Sequence, residues 1–253
     1  MTATPNPEAP AGSPREYLHA TLVDNLGLAV VTGQLAPHAV LSIEELEARY
    51  GVSRSVIREV IRVLSSLGLL ASRRRLGTVV QPRSAWNLYD PHIIRWRLAS
   101  ESRLEQLRSL SELRSAVEPM AAKLAAIRAS FTAASDLVSL SAQMWAAGHA
   151  SDMDTFLRLD VLFHDHLLEA SGNEMFAQLN SLVTEVLKGR IEHGLMPHSP
   201  NAKAMQFHVD VASAIQRRDG EAAHAAMTRI VDQSMVEMAV IWAKDHGTSR
   251  DMQ

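Results

Sequence analysis

Between Arg15 and Thr32 the apolar residues Leu18, Leu22, Leu26, Ala29 and Val30 recur at three- and four-residue intervals, which predicts a helix that Gly33 ends. The periodic segments then shorten. Ser42 stands as an N-cap ahead of a helix over 44–50, with Glu45 three residues on as in a capping box, and Gly51 supplies the left-handed stop. Ser53 is the expected cap of a second helix reaching about Leu67, whose buried stripe is Val56, Ile57, Val60, Ile61 and Leu64; Gly68 ends it. Leu69 to Ser72 and Thr78 to Val80 read as two strands around the turn Arg73-Arg74-Arg75-Leu76-Gly77, closed by Pro82. From Pro91 onward the period is helical, and predicts helices over 91–99, 104–129, 132–147, 152–171, 174–193, 201–217 and 219–243.

Two short helices around a Gly-Val-Ser turn, preceded by a helix and followed by a hairpin, make a winged helix-turn-helix. The expected fold class is mainly α, with that unit at the N-terminus and an all-helical antiparallel bundle at the C-terminus. The expected divisions are a Pro/Ala/Gly-rich disordered tail at 1–14, the winged unit at 15–82, a linker at 83–90, a helical effector-binding and dimerisation domain at 91–243, and a tail at 244–253.

Composition changes this picture little: 47% apolar but only 5% aromatic suits helices packing on helices. The absence of cysteine excludes disulfides and thiolate chemistry and fits a reducing cytoplasm, the expected location. No apolar run approaches the roughly 20 residues of a membrane span, and the first residues lack the basic start and apolar stretch of a secretory signal. Charge changes it more. The net charge is −3, yet Arg49 to Arg83 holds eight arginines against one acid, Glu59, so this segment is +7 and the remainder −10. A basic block in an acidic chain is the footprint of a surface that meets phosphates, although a solvated helix face gives the same count.

In a helix-turn-helix the second helix enters the major groove and shows its first residues to base edges. Arg54, Ser55 and Arg58 occupy that position, opposite the apolar stripe, and an arginine can donate two hydrogen bonds to guanine O6 and N7. Arg62, one turn further, suits a phosphate. The wing tip, with Arg75 and Gly77, can reach an adjacent minor groove, where glycine permits close backbone approach.

The helical half offers a second group of candidates. Asp160 and His164 stand four apart in DVLFH, on one helix face, as a carboxylate and an imidazole that can share a divalent metal. Arg114 and Glu118 are likewise four apart, and His208 lies mid-helix in HVDVASAI. Taken alone, an Asp-His pair at this spacing is more often a surface hydrogen bond or a satisfied core histidine than a metal site. His166, His193, His198, His224 and His246 read as ordinary surface or core residues.

GVSRSVIREVIRVLSSLGLL followed by RRRLGTVV resembles the GntR family of bacterial regulators. ELRSAVEPMAAKLAA, DVLFHDHLLEASGN and HVDVASAIQRRDGEAAHAAM resemble the FCD domain, the all-helical effector domain of one branch of that family, so that the likeness covers roughly residues 15–243. The resemblance implies DNA contacts at Arg54, Ser55, Arg58 and Gly77, while Glu44 stands where many members carry a DNA-contacting arginine. It implies a divalent metal ion (zinc, nickel or manganese-like) held by one Asp and three His; Asp160, His164 and His208 match three positions and Ile230 falls on the fourth. Arg114 matches an arginine that points into the cavity and suits a carboxylate. The expected effector-binding residues are thus Arg114, Glu118 and Asn173 of the SGN turn. SAWNLYDPHIIRWRL is similar to the linker of sugar-acid-responsive members.

The expected function is a homodimeric, sequence-specific repressor of transcription that binds double-stranded operator DNA. A small organic or sugar acid such as galactonate or gluconate modulates it, with a dicarboxylate, lactate or an amino acid as the competing effector class. No membrane partner is expected. A metal-dependent enzyme built on Asp160, His164 and His208 is the rival reading; it lacks a motif such as HExxH to supply a general base, and has no use for a helix-turn-helix.

Overall fold

A computed structural model describes the backbone of residues 14–192 and 202–248, and side chains for 18–189 and 202–238. His193, His198, the side chain of His246 and residues 1–13 and 249–253 of the expected tails lie outside the described residues. The chain divides into two compact units, the first ending at Glu101 and the second beginning at Ser102.

In the first unit, α1 (Pro14–Val31), α2 (Ile43–Tyr50) and α3 (Arg54–Ser66) are followed by the hairpin strands β2 (Leu70–Arg73) and β3 (Gly77–Val80). Leu22, Leu26 and Val30 of α1 pack against Val56, Ile57, Val60, Ile61 and Leu64 of α3, so the predicted stripes meet each other. Ser42 caps α2 by accepting from the Glu45 amide at 3.3 Å, and Gly51 ends that helix at φ 63°. Ser53 holds the cap position of α3 but makes no side-chain cap; its hydroxyl pairs with that of Ser55 at 2.9 Å. One strand was not foreseen. β1 (Val40–Leu41) adds to the free edge of β3, pairing Val40 with Val79 and Leu41 with Thr78, in the order β1-β3-β2. Two residues are too few to show an alternating pattern.

The expected linker and the helix after it are packed into this first unit. Residues 83–85 form a 3-10 turn, the Asn87 amide donates to the Leu67 carbonyl at 2.9 Å, and Trp86 Nε1 donates to the Gln81 carbonyl at 3.1 Å. The helix expected to open the second domain, α4 (Pro91–Leu98), contributes Ile93 and Trp96 to the same core as α1 and α3. Trp96 Nε1 donates to Asp24 at 3.0 Å, and its indole packs against Gly27, where any Cβ would clash with the ring. The physical cause is a single large aromatic that finds its slot on α1, which sequence order does not reveal.

Every described secondary-structure element of the second unit is a helix: α5 (Arg103–Arg128), α6 (Phe131–His149), α7 (Met153–Ala170), α8 (Glu174–Ala177), α9 (Asn180–Glu192), α10 (Ala202–Gln216) and α11 (Gly220–Thr248). The predicted 174–193 helix is broken at Gln178–Leu179. The last helix runs on into the expected tail. On α5, Ala121, Ala122, Ala125 and Ala126 are fully buried, small side chains that let neighbouring helices approach closely. Phe163 and Leu167 of α7, Leu137 and Met144 of α6, and Val211 and Ile215 of α10 fill the core around them. Among the described residues no helix is long and apolar enough to cross a membrane.

Candidate functional site

On the first unit, α3 buries Val56, Ile57, Val60, Ile61 and Leu64 and leaves Arg54, Ser55, Arg58 and Arg62 exposed, so the four candidate residues share the solvent side of one helix. Their pairings differ. Arg54 Nη2 lies 2.6 Å from Glu44 Oε1 on α2, and Arg62 Nη1 lies 2.7 Å from Glu59 Oε2 on its own helix. At the wing tip the Leu76 amide donates to the Arg73 carbonyl at 3.1 Å, closing a turn with Arg75 at φ 69° and Gly77 at φ 93°. A left-handed arginine is strained relative to glycine or asparagine there; all of Arg73 to Gly77 is exposed.

In the second unit, three helices bring five charged or titratable side chains together in the core. α5 supplies Arg114 and Glu118, α7 supplies Asp160 and His164, and α10 supplies His208; each is buried. Arg114 grips Glu118 twice, Nε to Oε1 at 2.7 Å and Nη2 to Oε2 at 3.3 Å. Glu118 Oε2 lies 3.0 Å from His164 Nδ1, and His208 Nε2 lies 3.0 Å from Asp160 Oδ1. One ligand atom from each of Asp160, His164 and His208 lies within 4.8 Å of the other two.

Proton positions follow from the partners. His208 Nδ1 lies 2.8 Å from the Ala204 carbonyl, which can only accept, so Nδ1 carries the hydrogen. In the neutral ring Nε2 then presents a lone pair to the Asp160 carboxylate, which also only accepts. That nitrogen is buried without a hydrogen-bond partner. Glu118 assigns the hydrogen of His164 to Nδ1 by the same logic and turns its Nε2 lone pair toward Asp160 Oδ1 at 3.7 Å. The Nδ1–H does not point along the line to Glu118, so the contact is an electrostatic one rather than a completed hydrogen bond.

With both imidazoles neutral, as ligands to a metal ion must be, one guanidinium would face two carboxylates. Burial alone would raise the Glu118 carboxyl, but Arg114 and then His164 hold it down to about 2. For Asp160 burial is again opposed, by the His208 contact first and the neighbouring His164, His208 and Arg114 after it, and the net direction is downward. Both carboxylates therefore stay ionised. The Arg114 guanidinium also reaches His164 Nε2 at 3.4 Å; the ionised Asp160 carboxylate, two buried imidazoles within ligand distance and the unpartnered His208 Nε2 together fit a divalent cation. Ile230, where a fourth ligand was expected, is a buried member of the hydrophobic core instead.

All three expected effector contacts are otherwise engaged. Arg114 and Glu118 satisfy each other, and Asn173 caps α8, its Oδ1 accepting from the Met175 amide at 3.0 Å. Beside the Arg114–Glu118 pair lies a narrow cleft walled by aliphatic side chains, among them Leu110, Leu113, Leu168, Leu182 and Val186.

Comparison with known proteins defines the class. Residues 18–80 match the gntR family of bacterial regulatory proteins, and 109–233 match the FCD domain. The galactonate operon transcriptional repressor of Escherichia coli is 31% identical over 216 residues, covering 84% of this chain and 93% of that protein. A putative L-lactate dehydrogenase operon regulatory protein of the same species is 30% identical, over 72% of this chain and 71% of its own length. The solved structure of Lar, which controls expression of the Listeria monocytogenes agr system, superposes with a TM-score of 0.51 at 15% identity, over 91% of this chain and 99% of that one, a likeness of fold. The chain belongs to the GntR family and carries an FCD domain: it is a transcriptional regulator of the GntR–FCD type.

Proposed function

We propose that two copies of this chain bind a near-palindromic operator in the cytoplasm as a repressor, and that a small carboxylate bound in the second unit alters that binding. The buried convergence of Asp160, His164 and His208 carries the sensing half of this reading. A divalent ion held by those three residues would supply Lewis-acid attraction for a carboxylate oxygen. The Ala204 carbonyl fixes the His208 ring, Glu118 fixes the protonation of His164, and Arg114 keeps Glu118 ionised. Because Arg114 is already bidentate on Glu118, an effector carboxylate competes with Glu118 for it. That exchange would reorient α5. The covalent route to the reading unit then runs through 99–102 rather than through 83–90, which is pinned.

The likeness to the galactonate repressor favours a sugar acid. The aliphatic cleft favours a second reading, an acid with a short apolar part such as lactate or a branched amino acid, since each sugar hydroxyl buried there unpaired would cost about 1–3 kcal/mol. Thermal unfolding separates them. Manganese, zinc or nickel should raise the midpoint over chelated protein. One acid from a panel of aldonates, lactate, dicarboxylates and amino acids should then add about 2.7 kcal/mol at a hundredfold its Kd, roughly 5–10 °C. Both shifts should vanish in His164→Ala. No shift with any metal or acid would remove the sensing account.

The reading half has its own check. Arg58 has no ion-pair partner among the described residues, and Arg58→Ala should weaken operator binding tenfold or more while leaving the thermal response to metal and acid intact. Unchanged operator affinity in a mobility-shift titration would mean that α3 is not the reading helix.

A further inference from the structure

Glu44 is an acid set beside the exposed arginines of α3. It is exposed in the first turn of α2, and both its carboxylate oxygens are engaged: Ser42 Oγ donates to Oε2 at 3.1 Å, and Arg54 Nη2 lies 2.6 Å from Oε1. Arg54 is the first residue of α3, so the contact bridges the two helices of the helix-turn-helix at the end that faces a groove. As an electrostatic device this placement is costly. A carboxylate repels phosphates and cancels the charge of the arginine it holds.

We infer that Glu44 is a positioning residue for base recognition: it clamps the Arg54 guanidinium from behind and dedicates its free edge to a guanine. This rests on the reading of α3 as the DNA-contacting helix. A guanidinium has five N–H donors in a fixed plane, and the Glu44 contact uses one. The remaining donors include a pair with the geometry of guanine O6 and N7. The Ser42–Glu44–Arg54 chain removes much of the side chain's freedom before DNA arrives, so less ordering remains at contact. Arg58 carries no such clamp, and Arg62 is tied only to its own helix. The clamped pair is neutral, so Arg54 adds selectivity without adding phosphate attraction. Exposure also means that replacing Glu44 leaves the core untouched.

The test is selection from a library of DNA duplexes with a randomised core, using the full-length protein, followed by salt titrations on one selected and one unselected duplex. Arg54→Ala should abolish a guanine preference at one position of each half-site. Glu44→Ala should weaken preference at that same position about tenfold, the lower part of the range for a bidentate contact. It should also steepen the salt dependence of binding to unselected DNA by about one phosphate, because the released arginine turns to the backbone. Glu44→Gln, which keeps an acceptor oxygen for Arg54, should retain more of the preference than Glu44→Ala. Matching thermal midpoints would confirm that all variants fold. The inference fails if Glu44→Ala leaves the Arg54-dependent position unchanged, or shifts preference at a different position, which would make Glu44 a base reader itself. If the unmodified protein selects no sequence, the DNA-reading proposal fails and this one with it.

Discussion

Glu118→Ala should lower the stability of the second unit by about 3–5 kcal/mol, seen as a thermal midpoint roughly 10 °C lower. The reason is asymmetric. Arg114 and Glu118 are 4% and 0% exposed, so removing the carboxylate strands a guanidinium in the core with no water to solvate it. Burial penalises the charged arginine, and the Glu118 contact is the largest influence opposing that penalty. Replacing both partners by apolar residues of similar size, Arg114→Met with Glu118→Leu, should be far less damaging, because neither charge of the pair is then left without its partner. The comparison separates fold from function: the double variant should unfold near the parent midpoint and yet lose the thermal response to metal and acid. An unchanged midpoint in Glu118→Ala would mean that the pair is not buried as described.

Acid should unmake the same cluster. Glu118 titrates at about 2 in the folded chain against an ordinary 4.5. A carboxyl depressed by folding contributes stability that is fully present above 4.5 and is lost as pH falls from 4.5 towards 2. Integrated over that window the loss is on the order of 3 kcal/mol for Glu118, and Asp160, also depressed, adds to it at the lower end. Denaturant titrations at stepped pH should therefore show stability falling steeply below about 4.5. In Glu118→Gln the fall should be shallower, starting from a lower plateau. A limb of identical slope in both proteins would place the acid sensitivity elsewhere.

The reading helix and the buried centre were legible to different degrees, for physical reasons. Periodicity exposed α3, because five buried residues on one stripe leave the arginines on the other side, and glycines at Gly33, Gly51 and Gly68 adopt the positive φ that stops helices. Spacing placed Asp160 with His164 and Arg114 with Glu118, since each pair lies four apart on a single helix. It could not show that His208 meets Asp160, or that Glu118 faces His164, because those contacts cross between helices. Arg114 and Glu118 both read as effector contacts, because spacing brings them together without showing that they bond to each other; in the fold they do. The Glu44–Arg54 contact escaped for the same reason. Only the angle between α2 and α3 brings residues ten apart to 2.6 Å.

The slot that Gly27 leaves for Trp96 bears on where the chain can be cut. A fragment ending at Pro82, the last residue of the predicted winged unit, would discard Ile93 and Trp96 and open a groove along α1 floored by Leu22 and Leu26, with Asp24 stranded at its rim. Such a piece would be sticky and poorly soluble even though every element of the helix-turn-helix and wing were present. A fragment that keeps this core whole ends near Glu101, where the compact unit closes.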